Sequence, residues 1–271
     1  MPELPEVETT RRGIEPHCLG QVVDKVIVRN SKLRWPVPRS LNSDLSKAKI
    51  LRIDRRGKYI ILQTSQGNIL VHLGMSGSLR VVDSHLQPEK HDHLDLVMKN
   101  GKCLRLRDPR RFGSVLWAGD DPFQHKLLVD LGPEPLSDEF NGDYLHKQCL
   151  NRQQAIKTFI MDSHIVVGVG NIYASESLFR SGIHPKRAAG RIAHHRCDKL
   201  AGVIKQVLLE AIDKGGTTLR DFVDSEGSPG YFAQRLSVYD RSGEACHVCA
   251  NSIRQITLGQ RSTYYCLNCQ R

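Results

Sequence analysis

Between residues 21 and 117, apolar side chains recur in short runs at 22–28, 50–53, 59–63, 68–73, 94–98 and 103–106, rich in valine, isoleucine and leucine. Runs of this length predict strands. Several of them with no amphipathic helix between predict an antiparallel sandwich or barrel rather than βαβ units. Asn100-Gly101 lies between the last two runs as a two-residue hairpin turn. Ahead of them, Pro2 takes the first helical position, Glu3 and Glu6 the first turn, and Arg11 and Arg12 the end of a segment closing near Gly13. Those charges match a helix dipole, so a short N-terminal helix is expected.

The β pattern breaks at Leu131-Gly132-Pro133-Glu134-Pro135. Beyond it Leu200, Val203, Ile204, Val207, Leu208, Ala211 and Ile212 keep helical spacing up to Gly215-Gly216, and Ile172, Leu178, Phe179 and Ile183 follow the loop Gly168-Val169-Gly170-Asn171. Strand-like character returns from about Leu236. The fold class expected is α+β with several domains: an N-terminal antiparallel β-sandwich with its leading helix over 1–131, a linker over 132–150, a helical domain over 151–235 and a β-hairpin tail over 236–271.

Lys and Arg outnumber Asp and Glu by 39 to 29, for a formal charge of +10. Such a balance favours a polyanionic partner, nucleic acid first. No apolar run is long enough to span a bilayer, and the acidic opening lacks the features of a signal peptide, so a soluble cytoplasmic protein with no membrane partner is expected. Cys18, Cys103, Cys149 and Cys197 are scattered, whereas Cys246-x2-Cys249 and Cys266-x2-Cys269 are two tight pairs separated by 16 residues. That spacing is the one in which two turns bring four thiolates around one Zn²⁺; disulfides or an iron-sulfur cluster fit it less well. Four protein ligands close the coordination sphere, so the zinc is structural and chemistry must lie elsewhere. Strands at 252–258 and 262–266 flank a turn at Gly259-Gln260-Arg261, with Arg261 projecting from its tip. Such a ribbon suits a non-catalytic DNA-binding protein equally well.

Four segments narrow the choice. Met1-Pro2-Glu3-Leu4-Pro5-Glu6-Val7-Glu8, His72-Leu73-Gly74-Met75-Ser76-Gly77, Asp108-Pro109-Arg110-Arg111-Phe112-Gly113 and Gly168-Val169-Gly170-Asn171-Ile172-Tyr173-Ala174, followed by the four-cysteine tail, resemble the formamidopyrimidine-DNA glycosylase family of bacterial base-excision repair in its own order. The resemblance spans essentially the whole chain. Leu4-Pro5 points to the branch acting on oxidised purines rather than to the sibling endonuclease VIII group, which prefers oxidised pyrimidines. One departure is Ala250-Asn251, where the family often has Gly-Thr; alanine accepts positive φ less readily, so that knuckle is expected to differ.

The resemblance implies a monomeric, bifunctional glycosylase and lyase working on duplex DNA that contains oxidised purines, in the bacterial cytoplasm at the nucleoid. Its nucleophile would be the imino nitrogen of Pro2 after removal of Met1; read without the resemblance, Pro2 is an ordinary helix-start proline. Glu3 is implied as general acid or base and Glu6 as a supporting group, although a first-turn glutamate is ordinarily a dipole partner. Lys58 is implied as a strand lysine reaching into the site. Met75, Arg110 and Phe112 would fill the gap left by an extruded nucleotide, Arg110 reading the orphaned base; by themselves they read as core and surface. Lys157, Asn171 and His91 are implied as backbone contacts, and Arg261 as both a phosphate contact and a member of the catalytic set. A metal reading of His91 and His93 lacks a third ligand. The glycine-rich stretch 217–231 would be a lid over the flipped base, or a plain linker.

Overall fold

The computed structural model describes residues 2–216 and 236–271, so the expected lid lies outside the described residues. The chain divides into two compact units: the first runs to Asp130 and takes in the described residues 214–216, and the second comprises Leu131–Asp213 and the tail from residue 236.

In the first unit, α1 (Leu4–Cys18) precedes eight strands: β1 (Val23–Val28), β2 (Ile50–Arg56), β3 (Tyr59–Thr64), β4 (Gly67–His72), β5 (Ser78–Asp83), β6 (Asp92–Met98), β7 (Lys102–Arg107) and β8 (Ser114–Trp117), with a short helix α2 (Leu41–Leu45) after β1. They form two four-stranded antiparallel sheets, ordered β1-β6-β7-β5 and β2-β3-β4-β8. Val26, Leu79, Leu94, Leu96, Leu104 and Leu106 of one sheet meet Leu62, Ile69, Val71 and Val115 of the other in one core, as a sandwich requires. The six expected strands are present. β5 and β8 escape the pattern because each buries a single apolar side chain, Leu79 and Val115 respectively, and β8 is only four residues long. The turn before β7 is corrected too: Lys99, Asn100 and Gly101 form a three-residue connection with only Gly101 at positive φ (81°).

In the second unit, α3 (Gly142–Cys149), α4 (Ile156–Ile160), α5 (Asn171–Ser181) and α6 (His194–Asp213) precede the hairpin β9 (Arg254–Leu258) and β10 (Arg261–Tyr265). A linker expected over 132–150 is instead part of this unit. Asn141 caps α3 by accepting from the Tyr144 amide at 2.9 Å, and α3 packs on α6. Its eight residues bury only Leu145 and Cys149 as apolar side chains of any size, too few to register as a period. Phe179 of α5 packs with Val238, Ile253 and Tyr264, so the tail shares a core with α5. Cys18, Cys103, Cys149 and Cys197 are all buried. No helix among the described residues is long and apolar enough to cross a membrane.

Candidate functional site

The N-terminal helix starts later than expected. Glu3 is its N-cap, Pro5 takes the proline-tolerant first turn, and the helix continues beyond Gly13 to Cys18. Pro2 is therefore not a helical residue; it is buried just ahead of the cap. The Glu6 carboxylate reaches back to accept from the Glu3 amide at 2.8 Å, the returning half of a capping box. Glu3 and Glu6 are each 2 % exposed. Glu6 thus holds the peptide that follows Pro2, a positioning duty that its place in the first turn leaves open.

Lys58 lies in a two-residue turn rather than on a strand, because Arg56 pairs with Tyr59 across the β2–β3 hairpin. Gly57 opens that turn at φ 56°, the positive angle a tight hairpin needs. Arg55 fastens it: its Nε donates to Glu8 at 3.1 Å and its guanidinium to the Gly57 carbonyl at 3.1 Å. Burial alone would raise the Glu8 carboxyl, but hydrogen bonds from Arg11 and Arg12 and the charges of Arg11 and Arg55 outweigh it and hold Glu8 below the usual carboxylate range. Helix α1 and the Lys58 turn are tied together through one carboxylate that the sequence does not single out.

His72 ends β4 opposite Tyr59, with ring centroids 4.9 Å apart, and its Nδ1 accepts from the Gly74 amide at 3.0 Å. Burial, reinforced by the charges of Lys58 and Arg34, pushes His72 down to about 4. A histidine depressed on folding binds its proton more readily in the unfolded chain, so its stability contribution is complete above about pH 6.5 and is lost as pH falls toward 4. Replacement by Gln is expected to flatten the fall in denaturant midpoint across that window, which for His72 amounts to at most about 3 kcal/mol. Identical pH profiles for the two proteins would reject this assignment.

Met75, Arg110 and Phe112 are brought together on two loops. Gly74, at φ 67°, touches the second loop so closely that a Cβ would lie 2.4 Å from the Phe112 carbonyl carbon. Arg110 sits over the Phe112 ring, 5.1 Å from its centroid; both are exposed, and Met75 is half-buried. Their common anchor is Asp108, fully buried. Its Oδ1 accepts from Ser76 Oγ at 2.8 Å and its Oδ2 from the Gly113 amide at 2.7 Å, while Ser76 Oγ accepts from the Arg110 amide at 3.2 Å. His93 Nε2 donates to the Asp108 carbonyl at 2.8 Å, and the Asp108 amide donates to the carbonyl of His91, a residue at φ 78°. His93 is thereby spent on the loop; among the described residues neither it nor His91 belongs to a group of three or more ligand atoms. Asp108→Asn is expected to cost about 1 to 3 kcal/mol of stability by loosening both loops, read as a lower denaturant midpoint. An unchanged midpoint would show that Asp108 is not their common anchor.

In the second unit, Lys157 is fully buried. Its Nζ donates to Asn171 Oδ1, to the Ser262 carbonyl at 3.2 Å and to Thr263 Oγ1 at 2.7 Å, while Asn171 Nδ2 donates to the same Ser262 carbonyl at 2.9 Å. Lys157, Asn171 and β10 therefore form one cluster. Asn171 is the first residue of α5, whose N-cap is Gly170. Arg261 is exposed and pairs with Leu258 as the first residue of β10, one step behind the tip; the turn itself is Gly259-Gln260, both at positive φ. Buried Glu176, which no local motif marks, accepts from the Ser237, Val238 and Tyr239 amides at 2.8, 2.9 and 2.9 Å and pins the start of the tail to α5.

The four paired cysteines converge with all sulfurs within 4.8 Å of one another; Cys246 and Cys269 are 3.9 Å apart, Cys249 and Cys266 3.4 Å. A tetrahedron with arms of about 2.3 Å has edges of about 3.8 Å, so the donor set fits Zn²⁺ with no position left open. Ala250 adopts φ 61°, the left-handed angle a glycine would take, so the expected change in that knuckle is not seen and the strain of an alanine there is borne instead.

Comparison with known proteins matches residues 1–115 to the formamidopyrimidine-DNA glycosylase N-terminal domain, residues 131–223 to that enzyme's H2TH domain, and residues 243–271 to the zinc finger found in FPG and IleRS. Formamidopyrimidine-DNA glycosylases of Shigella dysenteriae and Escherichia coli are 56 % identical over 271 residues, covering all of both chains. Among solved structures, MutM (FPG) of Thermus thermophilus matches with a TM-score of 0.89 and 34 % identity, covering 99 % of this chain and 98 % of that one. A Lactococcus lactis FPG mutant in complex with Fapy-dG containing DNA matches with a TM-score of 0.93 and 30 % identity over the whole of both chains. From Pro2 to the last cysteine, the chain belongs to the formamidopyrimidine-DNA glycosylase family.

Proposed function

We propose that this protein excises oxidised purines, 8-oxoguanine and formamidopyrimidines, from duplex DNA and then cleaves the strand, using Pro2 as nucleophile once Met1 is removed. The observation that carries this reading is the helix start: with Pro5 and Glu3 taking the helical and capping places, Pro2 has no structural duty within α1. Its secondary amine attacks C1′ of the damaged nucleoside; the N–C1′ bond forms and the glycosidic bond breaks, its electron pair leaving with the base, which takes up a proton. Glu3, beside the nucleophile, moves protons to and from the sugar as its ring opens. The resulting iminium has no N–H to lose, so it stays cationic and draws electrons twice: loss of the C2′ proton expels the 3′ phosphate, and loss of the C4′ proton then expels the 5′ phosphate.

Lys58, carried on its fastened turn, binds the phosphate or the electron-rich edge of the damaged base. Met75 and Phe112 replace the extruded nucleotide in the stack, where apolar contact offsets an unstacking cost of a few kcal/mol, and Arg110 reads the orphaned cytosine. His91 contacts the backbone beside them. Asn171, at a helix N-terminus with the Lys157 ammonium behind it, faces a phosphate, as does Arg261. On this reading 1–131 is the catalytic domain and the remainder grips DNA, with the protein acting as a monomer on nucleoid DNA in the cytoplasm.

Borohydride trapping tests the proposal. A covalent adduct with 8-oxoguanine duplex is expected, and faster excision of 8-oxoguanine than of thymine glycol. Preference for thymine glycol would move the protein to the pyrimidine-directed sibling group; no adduct with any lesion would leave a DNA-binding protein without chemistry.

A further inference from the structure

The second unit holds another concentration of cations, apart from Lys157, Asn171 and Arg261. An open cavity of about 760 Å³ is lined by His184, Lys186, Arg187, Arg191 and Arg271. His184 follows the C-terminal end of α5, and the cavity wall adjoins the segment that carries Lys157: the Lys157 amide donates to the Pro185 carbonyl at 3.3 Å and the Ile156 amide to the Arg187 carbonyl at 2.8 Å. Lys186 and Arg191 are exposed and Arg187 is half-buried, and among the described residues none of the three pairs with an aspartate or glutamate. These charges act on one another. Burial and the charges of Lys186 and Arg187 lower His184, and burial and Arg187 lower neighbouring Arg196.

The wall is also rigid. The Arg187 amide donates to the His184 carbonyl at 3.0 Å and the Lys186 amide to His184 Nδ1 at 3.2 Å. Buried Gln270 accepts from the Cys266 amide and donates to the Ile183 carbonyl, each at 2.9 Å, so the ribbon end is fixed to this segment. The Arg271 main-chain oxygen accepts from the His184 amide at 3.2 Å and from Arg196 at 3.1 Å, but the side-chain cations outnumber it and raise the local potential, and a preorganised set of guanidinium and ammonium donors is chemistry suited to phosphate.

We propose that this cavity is a second phosphate-binding site, which holds the backbone of nucleic acid beyond the stretch gripped by Lys157, Asn171 and Arg261. The inference rests on the reading of the chain as a DNA-binding enzyme. Nucleic acid is favoured over an acidic peptide because DNA bound at one end of α5 presents further phosphates to the other end at high effective concentration.

The double variant Lys186→Glu with Arg191→Glu, both at exposed positions, and the triple variant K186A, R187A, R191A test it. With a long undamaged duplex, the slope of log affinity against log salt is expected to fall by about 2 to 3, since each phosphate contact contributes about 0.9. Excision from a short duplex that covers little more than the lesion should stay within twofold of the unaltered protein. An unchanged slope overturns the proposal, as does a matching loss on the short duplex, which would place these residues in the primary grip. Two competitors identify other occupants: polyglutamate or inorganic phosphate that binds the unaltered protein but not the variants, with an unchanged DNA slope, would reassign the cavity to an acidic protein or to free phosphate. Should the unaltered protein excise no lesion while the slope still falls in the variants, the catalytic reading fails and the phosphate site stands.

Discussion

A protein that keeps Met1, or carries one added residue before Pro2, is expected to form no borohydride-trappable adduct and to lose at least about 10³-fold in excision, upward of 4 kcal/mol of transition-state stabilisation. Acylation turns the proline nitrogen into an amide whose lone pair is delocalised into the carbonyl, so it neither attacks C1′ nor carries the iminium charge. The fold should be untouched, because α1 is capped by Glu3 and Glu6 and opened by Pro5, none of which needs the terminal amine. Unfolding midpoints of the two forms should therefore coincide while their activities diverge. Mass spectrometry of active protein that finds Met1 in place would end the proposal.

Loss of zinc should be nearly as damaging, by a different route. Cys266→Ser, or stripping by a strong chelator, removes binding energy on the order of 10 kcal/mol or more that the ribbon uses to fold. The damage should not stop at the ribbon. Lys157 is buried with Ser262 and Thr263 of β10 among its partners, so melting the hairpin withdraws two of the oxygens that satisfy an interior ammonium and frees the Asn171 amide as well. Affinity for duplex DNA is expected to fall at least about 100-fold, or about 2.7 kcal/mol. Hydrogen exchange should accelerate both in 237–271 and around Lys157. Thr263→Val isolates the second effect, because it leaves the zinc ligands alone; wild-type affinity in that variant would show that the contact between ribbon and lysine is not what zinc protects.

The residues differ in how plainly the sequence announces them. Cys246, Cys249, Cys266 and Cys269 are legible because metal geometry demands short, regular spacing within one local element. Six strands are legible because burial on a sandwich face forces apolar runs into place, whereas β5 and β8 bury one apolar side chain each, Leu79 and Val115. Asp108, Glu8, Arg55 and Glu176 carry no local signal. Each works by joining segments distant in sequence: Asp108 reaches Ser76 across 32 positions, Arg55 reaches Glu8 across 47, and Glu176 reaches Val238 across 62. Only the folded chain creates those partners. The turn position of Lys58 is hidden for a related reason, since nothing in Arg56-Gly57-Lys58-Tyr59 says where the hairpin turn falls until the register is known.

The four cysteines outside the ribbon bear on durability. Burial, with a small push from Cys103, raises Cys18 to about 12; burial, with the charge of Asp95, raises Cys103 to about 11. Around neutral pH about one in 10³ or fewer of these two thiols is ionised, and peroxide attacks the thiolate. Cys149 and Cys197 are at most 1 % exposed, which denies an oxidant access. A protein whose substrates arise when oxidants are abundant has sheltered its own spare sulfur from the same reagents, and should keep working through the exposure that creates its workload.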